Sequence, residues 1–322
     1  LGGLLFPFGI IYLKLNVMKH YKELIAIGVI AAAVIIGSCK THFETTKVNY
    51  TATASELSFN RGRNLVNNIC SGCHYDKSSG KFIGTLMHDV PSIMGKVYSA
   101  NLTASKTHGI PPRYTDAQLK YLLKTGIAKD GRFIPYMLRP NLAESDLDAI
   151  VVYLRSGDGP VAAADTTIGL TNYTGIRKML VRIKSEPLPY REGVKRPVES
   201  DEVANGRYLV DNIGCYHCHS KSLTSMNYLN PEQTPDYMGG GLKFKTPTGE
   251  SIYASNLTAD KQTGIGNYTK MDFRKAVQHG EAPTRKLHPP MPQFHALTNE
   301  QADAIYAYLQ TLPAMVHKIQ GQ

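Results

Sequence analysis

Two short stretches, Cys70-Ser71-Gly72-Cys73-His74 and Cys215-Tyr216-His217-Cys218-His219, decide how this chain is read. Each sets two cysteines three positions apart and follows the second with a histidine. A structural zinc site wants a further ligand pair about 12 to 20 residues along, but the next cysteine after Cys73 is Cys215. A thioredoxin-like dithiol wants a βαβ context and gives the histidine no purpose. On a helical turn, residues i, i+3 and i+4 share one face. Two thiols there can reach the two vinyl groups of one porphyrin while the histidine offers a ring nitrogen to its iron, the pattern of covalent c-type haem. The spacing therefore predicts two covalently bound haem c groups, on Cys70, Cys73 and His74 and on Cys215, Cys218 and His219. His217 stands where the first unit has Gly72 and reads as a bystander, a surface group titrating near the haem.

The surrounding sequence repeats with the motifs. NRGRNLVNNIC-SGCH (60–74) matches ANGRYLVDNIGCYHCH (204–219), and YSANLTASKTHGI (98–110) matches YASNLTADKQTGI (253–265). YLLKTGIAKDGRFIPYM (121–137) matches KAVQHGEAPTRKLHPPM (275–291), and DAIVVYLRS (148–156) matches DAIYAYLQT (303–311). Blocks recurring in one order predict two homologous domains, 55–159 and 199–322. The intervening 160–198 is too long for a hinge and is expected to drape over the surface. Leu57, Leu65, Val66 and Ile69 fall at helical spacing, as do Leu147, Ile150, Val151 and Leu154. Thr115 is placed as an N-cap, with Gly126 and Gly157 as C-caps. No segment alternates as a strand, so both domains are expected to be all-α.

The repeat also sorts candidates for the second axial ligand. After His74 these are Met87, His88, Met94, His108 and Met137; after His219 they are Met226, Met238, Met271, His279, His288, Met291 and His295. Only Met137 and Met291 are equivalent, each shortly after proline and before the last helix, where a rigid loop can hold a thioether towards iron. His288 remains the competitor, and His108 is matched by Thr263. Gly62 and Gly206, paired with Tyr153 and Tyr308, predict a close crossing of first and last helices. Asn101 and Asn256 of the NLT segments are expected to fix a loop or a haem edge. Arg63 and Arg207 are either propionate partners or solvated.

The N-terminus suggests export. From Met18, Lys19 and Lys22 precede an apolar core, Leu24 to Ile36, of 13 residues; this is short for a span of about 20 residues and right for a signal peptide. Ile36-Gly37-Ser38-Cys39 resembles a bacterial lipobox, by which Cys39 would carry lipid and become the mature N-terminus. Residues 1–17, beginning at Leu1, read as sequence upstream of the true start. Residues 40–54 are polar and Thr-rich and read as a tether. The net charge of +10 comes without a dense Arg/Lys block interleaved with aromatics, so nucleic acid is not an expected partner; an acidic protein or an anionic membrane is compatible with it.

With these residues in view, SNLTADKQTGIGNYTKMDFRKAVQHG followed by PPMPQFHALTNEQADAIYAYLQTLP resembles the multihaem cytochrome c subunits of bacterial membrane-associated dehydrogenases, including alcohol dehydrogenase. The resemblance implies two tandem class I cytochrome c domains joined by a long surface linker, with His/Met ligation. It also implies an electron carrier on the periplasmic side, relaying electrons from a dehydrogenase towards the respiratory chain. Many such subunits carry three haems, whereas this chain has two motifs. The alternative is a dihaem enzyme such as a cytochrome c peroxidase, in which one iron keeps an open or displaceable position.

Overall fold

The computed structural model describes residues 42–319, apart from 48, 88–89, 91–94, 167–168, 174–185, 222–224 and 247. Cys39, the signal segment, His88 and Met94 lie outside the described residues. The first half carries helices α1 (Glu56–Ile69), α2 (Ser71–His74), α3 (Asp116–Thr125) and α4 (Glu144–Ser156). The second carries α5 (Glu202–Ile213), α6 (Cys215–Cys218), α7 (Lys270–Arg274) and α8 (Asn299–Gln310). Capping starts α3 and α7 alike: Thr115 accepts from the Gln118 N–H and Thr269 from the Asp272 N–H, each in a reciprocal capping box. Gly126 ends α3 in the left-handed conformation, and Gly280 does so for the π-turn Lys275–His279 that extends α7.

Each half has its own core. Leu65, Val66, Leu147, Ile150, Val151 and Leu154 are buried in the first, and Leu209, Val210, Ile305 and Leu309 in the second. The predicted helix crossing is present in both. A β-carbon on Gly62 would lie 1.9 Å from the Ala149 carbonyl oxygen and 2.9 Å from Tyr153 Cβ. On Gly206 the corresponding distances are 1.8 Å to the Ala304 oxygen and 2.9 Å to Tyr308 Cβ. Glycine is thus required there for backbone-to-backbone contact. Leu57 departs from expectation: it is 84% exposed.

The expectation of wholly helical domains needs correcting. Three two-stranded antiparallel ladders are present: β1 (Gly95–Lys96) with β2 (Asn172–Tyr173), β3 (Lys243–Lys245) with β4 (Ser251–Tyr253), and β5 (Glu281–Ala282) with β6 (Arg285–Lys286). Strands of two or three residues are too short to alternate visibly. The β3–β4 pair is closed instead by turn chemistry, with Gly249 at φ 89° donating to the Thr246 carbonyl.

The connecting segments lie on the body of the protein. The described residues of 42–54, expected to be a tether, run along α3: the Phe43 N–H bonds the Gly131 carbonyl, Ala52 N–H bonds Asp116, and Lys120 sits 4.3 Å from the Tyr50 ring centroid. A polar composition did not reveal these backbone bonds. The described parts of 160–198 drape over the first half as expected. Asn101 binds the Ala164 and Thr166 carbonyls, β2 pairs with β1, and the buried Lys124 ammonium donates to the Pro140, Leu142 and Arg191 carbonyls.

The halves meet through equivalent residues. Asn64, two positions after Gly62, bonds the Ala296 carbonyl and pairs reciprocally with Gln301, the third residue of α8. Tyr208, two positions after Gly206, donates to Asp146, the third residue of α4, and accepts from the Ala143 N–H. The contact is therefore close to two-fold. Arg61 adds a two-pronged ion pair to the buried Asp146, which offsets the cost of burying that carboxylate.

Candidate functional site

In the first half α1 runs almost directly into the motif. The Cys70 N–H bonds the Val66 carbonyl, and the Cys73 and His74 N–H groups both bond the Cys70 carbonyl. The second half carries one extra residue, Gly214, whose left-handed φ of 88° ends α5 before the motif turn begins; His219 N–H then bonds the Cys215 carbonyl. Both motifs thus form the helical turn that the i, i+3, i+4 reading requires.

The two histidines are set identically. His74 Nδ1 lies 2.7 Å from the Ala100 carbonyl oxygen, and His219 Nδ1 lies 2.7 Å from that of Ser255. Both are 7% exposed. A carbonyl can only accept, so each Nδ1 carries the proton and Nε2 keeps its lone pair. Burial pulls both pKa values below the usual histidine range against the opposing carbonyl bond, so both rings are neutral at pH 7. A neutral imidazole oriented through its other nitrogen is the form that ligates metal. The sequence reading missed Ala100 and Ser255, although each immediately precedes the repeated Asn-Leu-Thr. The Asn101 and Asn256 side chains hold that loop by accepting from the Thr103 and Thr258 N–H groups. Both asparagines are buried, so the loop-fixing role is the one observed.

No disulfide joins Cys70, Cys73, Cys215 or Cys218, and burial pushes the Cys70 and Cys215 thiols up to about 12. Among the described residues no group of three or more His, Cys, Asp or Glu converges as a metal-ion site would. Two unbridged thiols three positions apart, beside a neutral histidine that presents a lone pair, fit covalent haem.

Met137 and Met291 occupy matching turns. Each is half-buried, and each N–H bonds the carbonyl three residues earlier, Ile134 and His288, at 3.1 Å. His288 itself is exposed. Met238 is fully buried on the histidine side: its carbonyl receives the Leu257 N–H, as Phe82 receives that of Leu102, which makes it the core counterpart of Phe82. Met226 packs on the second core, Met271 is exposed, and Met87 is half-buried. His279 and His295 are exposed, with ring centroids 5.8 Å apart. His108 is half-buried with Nδ1 unpartnered.

Sequence comparison gives the chain relatives of known name. No family model matches the chain. It is 28% identical over 315 residues to a fructose dehydrogenase cytochrome subunit of Gluconobacter japonicus, covering 92% of this chain and 61% of that one. It is 25% identical over 259 residues to an alcohol dehydrogenase (quinone) cytochrome c subunit of Gluconobacter oxydans, covering 76% and 52%. The chain resembles the cytochrome c subunits of bacterial dehydrogenases. A dihaem c-type cytochrome of Cereibacter sphaeroides is 29% identical over 131 residues, covering 37% of this chain and 42% of that one. The chain thus spans about half the length of the curated cytochrome relatives it matches.

One sequence expectation about the motifs changes. His217 is not a surface group: its Nε2 is buried and unpartnered, and burial with the nearby Arg139 charge pushes its pKa down to about 3. It stays neutral at physiological pH. Arg63 and Arg207 have protein partners, Arg63 bonding Asn60 and Arg207 pairing with Glu232 at 2.9 Å.

Proposed function

We propose that this chain is an electron carrier with two covalent haem c groups, each held in its own class I cytochrome c domain. The observation that carries the reading is the duplicated setting of His74 and His219, each fixed through Nδ1 on a carbonyl at 2.7 Å beside a pair of unbridged cysteines. Cys70, Cys73, Cys215 and Cys218 would hold the porphyrins, with His74 and Met137, and His219 and Met291, as axial ligands. When bound, haem supplies an iron that takes and gives one electron, and methionine ligation favours its reduced state. The residues contribute burial, a fixed histidine tautomer and a thioether turn set by proline.

The names of the relatives support a dehydrogenase as donor, with the respiratory chain downstream. Cys39 would anchor the exported protein to a bacterial membrane through lipid. Among the described residues no helix is long and apolar enough to cross a membrane. The peroxidase alternative is carried by no observation here, and none of the relatives named above is a peroxidase.

The test is spectroscopic. Met291→Ala should leave haem content unchanged, lower one midpoint potential and weaken the methionine-to-iron charge-transfer band. Two unchanged potentials would remove Met291 from the ligand set.

A further inference from the structure

The two halves repeat each other closely, so places where a charge breaks the repeat stand out. Two of them lie beside the motifs. The first is Arg139. Its N–H bonds the Leu123 carbonyl and its own carbonyl receives the Leu142 N–H. In the second half Phe294 makes the same pair of bonds, to Val277 and from Leu297. Arg139 is therefore a cation where the repeat has an uncharged ring. Its Nη1 donates to the Leu138 carbonyl at 2.6 Å and the Tyr136 carbonyl at 3.4 Å, gripping the backbone on either side of Met137. Its Nε is buried and unpartnered. Carbonyl oxygens rather than carboxylates take its protons, and its charge acts on the Cys70 thiol. It also faces Tyr216, His217 and Tyr228 across the boundary between halves.

The second is Asp211, five positions after Gly206, where the first half has Asn67 five after Gly62. Its Oδ1 is buried without a partner. Arg207, one turn earlier, is 3.9 Å away but lies 2.9 Å from Glu232, so one cation is divided between two acids. Tyr237, Tyr308 and Tyr216 complete the ionisable groups facing it, and its charge acts on the Cys215 thiol. In the first half Arg63 bonds only the neutral Asn60 amide and lies over the Phe59 ring. The side-chain charge acting on the Cys70 thiol is thus a cation's, and that acting on the Cys215 thiol a carboxylate's.

Resting on the two-haem reading above, we propose that Arg139 and Asp211 order the two potentials, making the first-half haem the higher and the second-half haem the lower. A fixed cation disfavours the extra positive charge of ferric iron and raises a potential; a carboxylate does the reverse. Electrons from the dehydrogenase donor then enter at the Cys215–His219 site and leave from the Cys70–His74 site. In the internal step one ferrous iron becomes ferric and the other ferric iron becomes ferrous, with no bond made or broken. Burial raises the Asp211 carboxyl to about 7, so its charge grows as pH rises through neutrality. The lower potential should fall over the same range while the upper one stays level.

The experiment is a redox titration of the full-length haem-loaded protein, with haem content measured in parallel. Arg139→Gln should lower the upper potential more than the lower one, and Asp211→Asn should raise mainly the lower one and flatten its pH dependence. Each should change the interhaem equilibrium constant by on the order of tenfold, about 59 mV for a one-electron couple. Arg139→Lys, which keeps the charge, should restore the upper potential; its failure to do so would assign the effect to the backbone grip and overturn the electrostatic role. The proposal is also overturned if Arg139→Gln moves the lower potential as far as the upper one, or if neither substitution moves its own potential while two haems remain. A haem content other than two would instead overturn the reading on which the proposal rests.

Discussion

The helix crossing at Gly206 can be tested by adding one methyl group. In Gly206→Ala the new carbon would sit 1.8 Å from the Ala304 carbonyl oxygen, 2.5 Å from its carbon and 2.9 Å from Tyr308 Cβ. The nearest obstacles are backbone, so no rotamer change relieves them, and α5 and α8 must separate by roughly 1.5 Å to reach ordinary contact. Overpacking of this kind costs about 1–3 kcal/mol, and more where backbone must move. Opening the seam also loosens the packing of Leu209, Ile305 and Leu309, while the better helix propensity of alanine returns about 1 kcal/mol. We expect a net loss of about 3 kcal/mol, read from urea denaturation of the haem-loaded protein by far-UV circular dichroism. Gly62→Ala, 1.9 Å from the Ala149 oxygen, should behave alike. Gly72→Ala is the internal control: its β-carbon meets nothing within 4 Å, so no destabilisation is expected, and helix propensity should return up to about 1 kcal/mol. A Gly206→Ala midpoint equal to wild type would refute the crossing as described.

Further outcomes follow from the polar contacts. Tyr208→Phe removes the acceptor for the Ala143 N–H, at the start of a helix whose N-cap has no side-chain bond, and a donor to the buried Asp146; we expect a loss of about 2–3 kcal/mol by the same denaturation assay. Lys124→Met leaves the Pro140, Leu142 and Arg191 carbonyls without their shared donor and should speed proteolysis near Arg191. Lys124→Gln should recover part of the protection, because Gln278 at the equivalent position bonds the Leu297 carbonyl. The raised Asp211 carboxyl means the native state holds its proton more tightly than the unfolded chain. Stability from this group is therefore full below about pH 4 and lost as pH rises through about 7. Asp211→Asn should remove about 2–3 kcal/mol of that dependence between about pH 5 and pH 8, seen by comparing denaturation midpoints at the two pH values.

Much of the architecture was legible because duplication supplied an internal comparison. The pairing of Gly62 with Tyr153 and of Gly206 with Tyr308 emerged from register alone, as did the caps at Thr115, Gly126 and Gly157. What stayed hidden was non-periodic. The Nδ1 partners are backbone carbonyls, whose bonding no side-chain pattern records, and Ala100 and Ser255 are not even the same residue type. Residues 42–54 are held largely by backbone bonds and one lysine–tyrosine contact, so their composition read as solvated. The depressed pKa of His217 comes from burial and from Arg139, a residue distant in sequence. Asn64 and Tyr208 are matched by position yet differ in chemistry, and only the two-fold contact between halves makes that correspondence meaningful.

The central claim is that both motifs carry haem through their cysteines. Intact-protein mass under denaturing conditions, combined with a pyridine haemochrome assay, tests it most directly. The account predicts two covalently held haems per chain, falling to one when either Cys70 and Cys73 or Cys215 and Cys218 are replaced by alanine. A wild-type chain, produced with a functioning haem-attachment system, that carries no covalent haem or keeps its full complement in both double variants would contradict it.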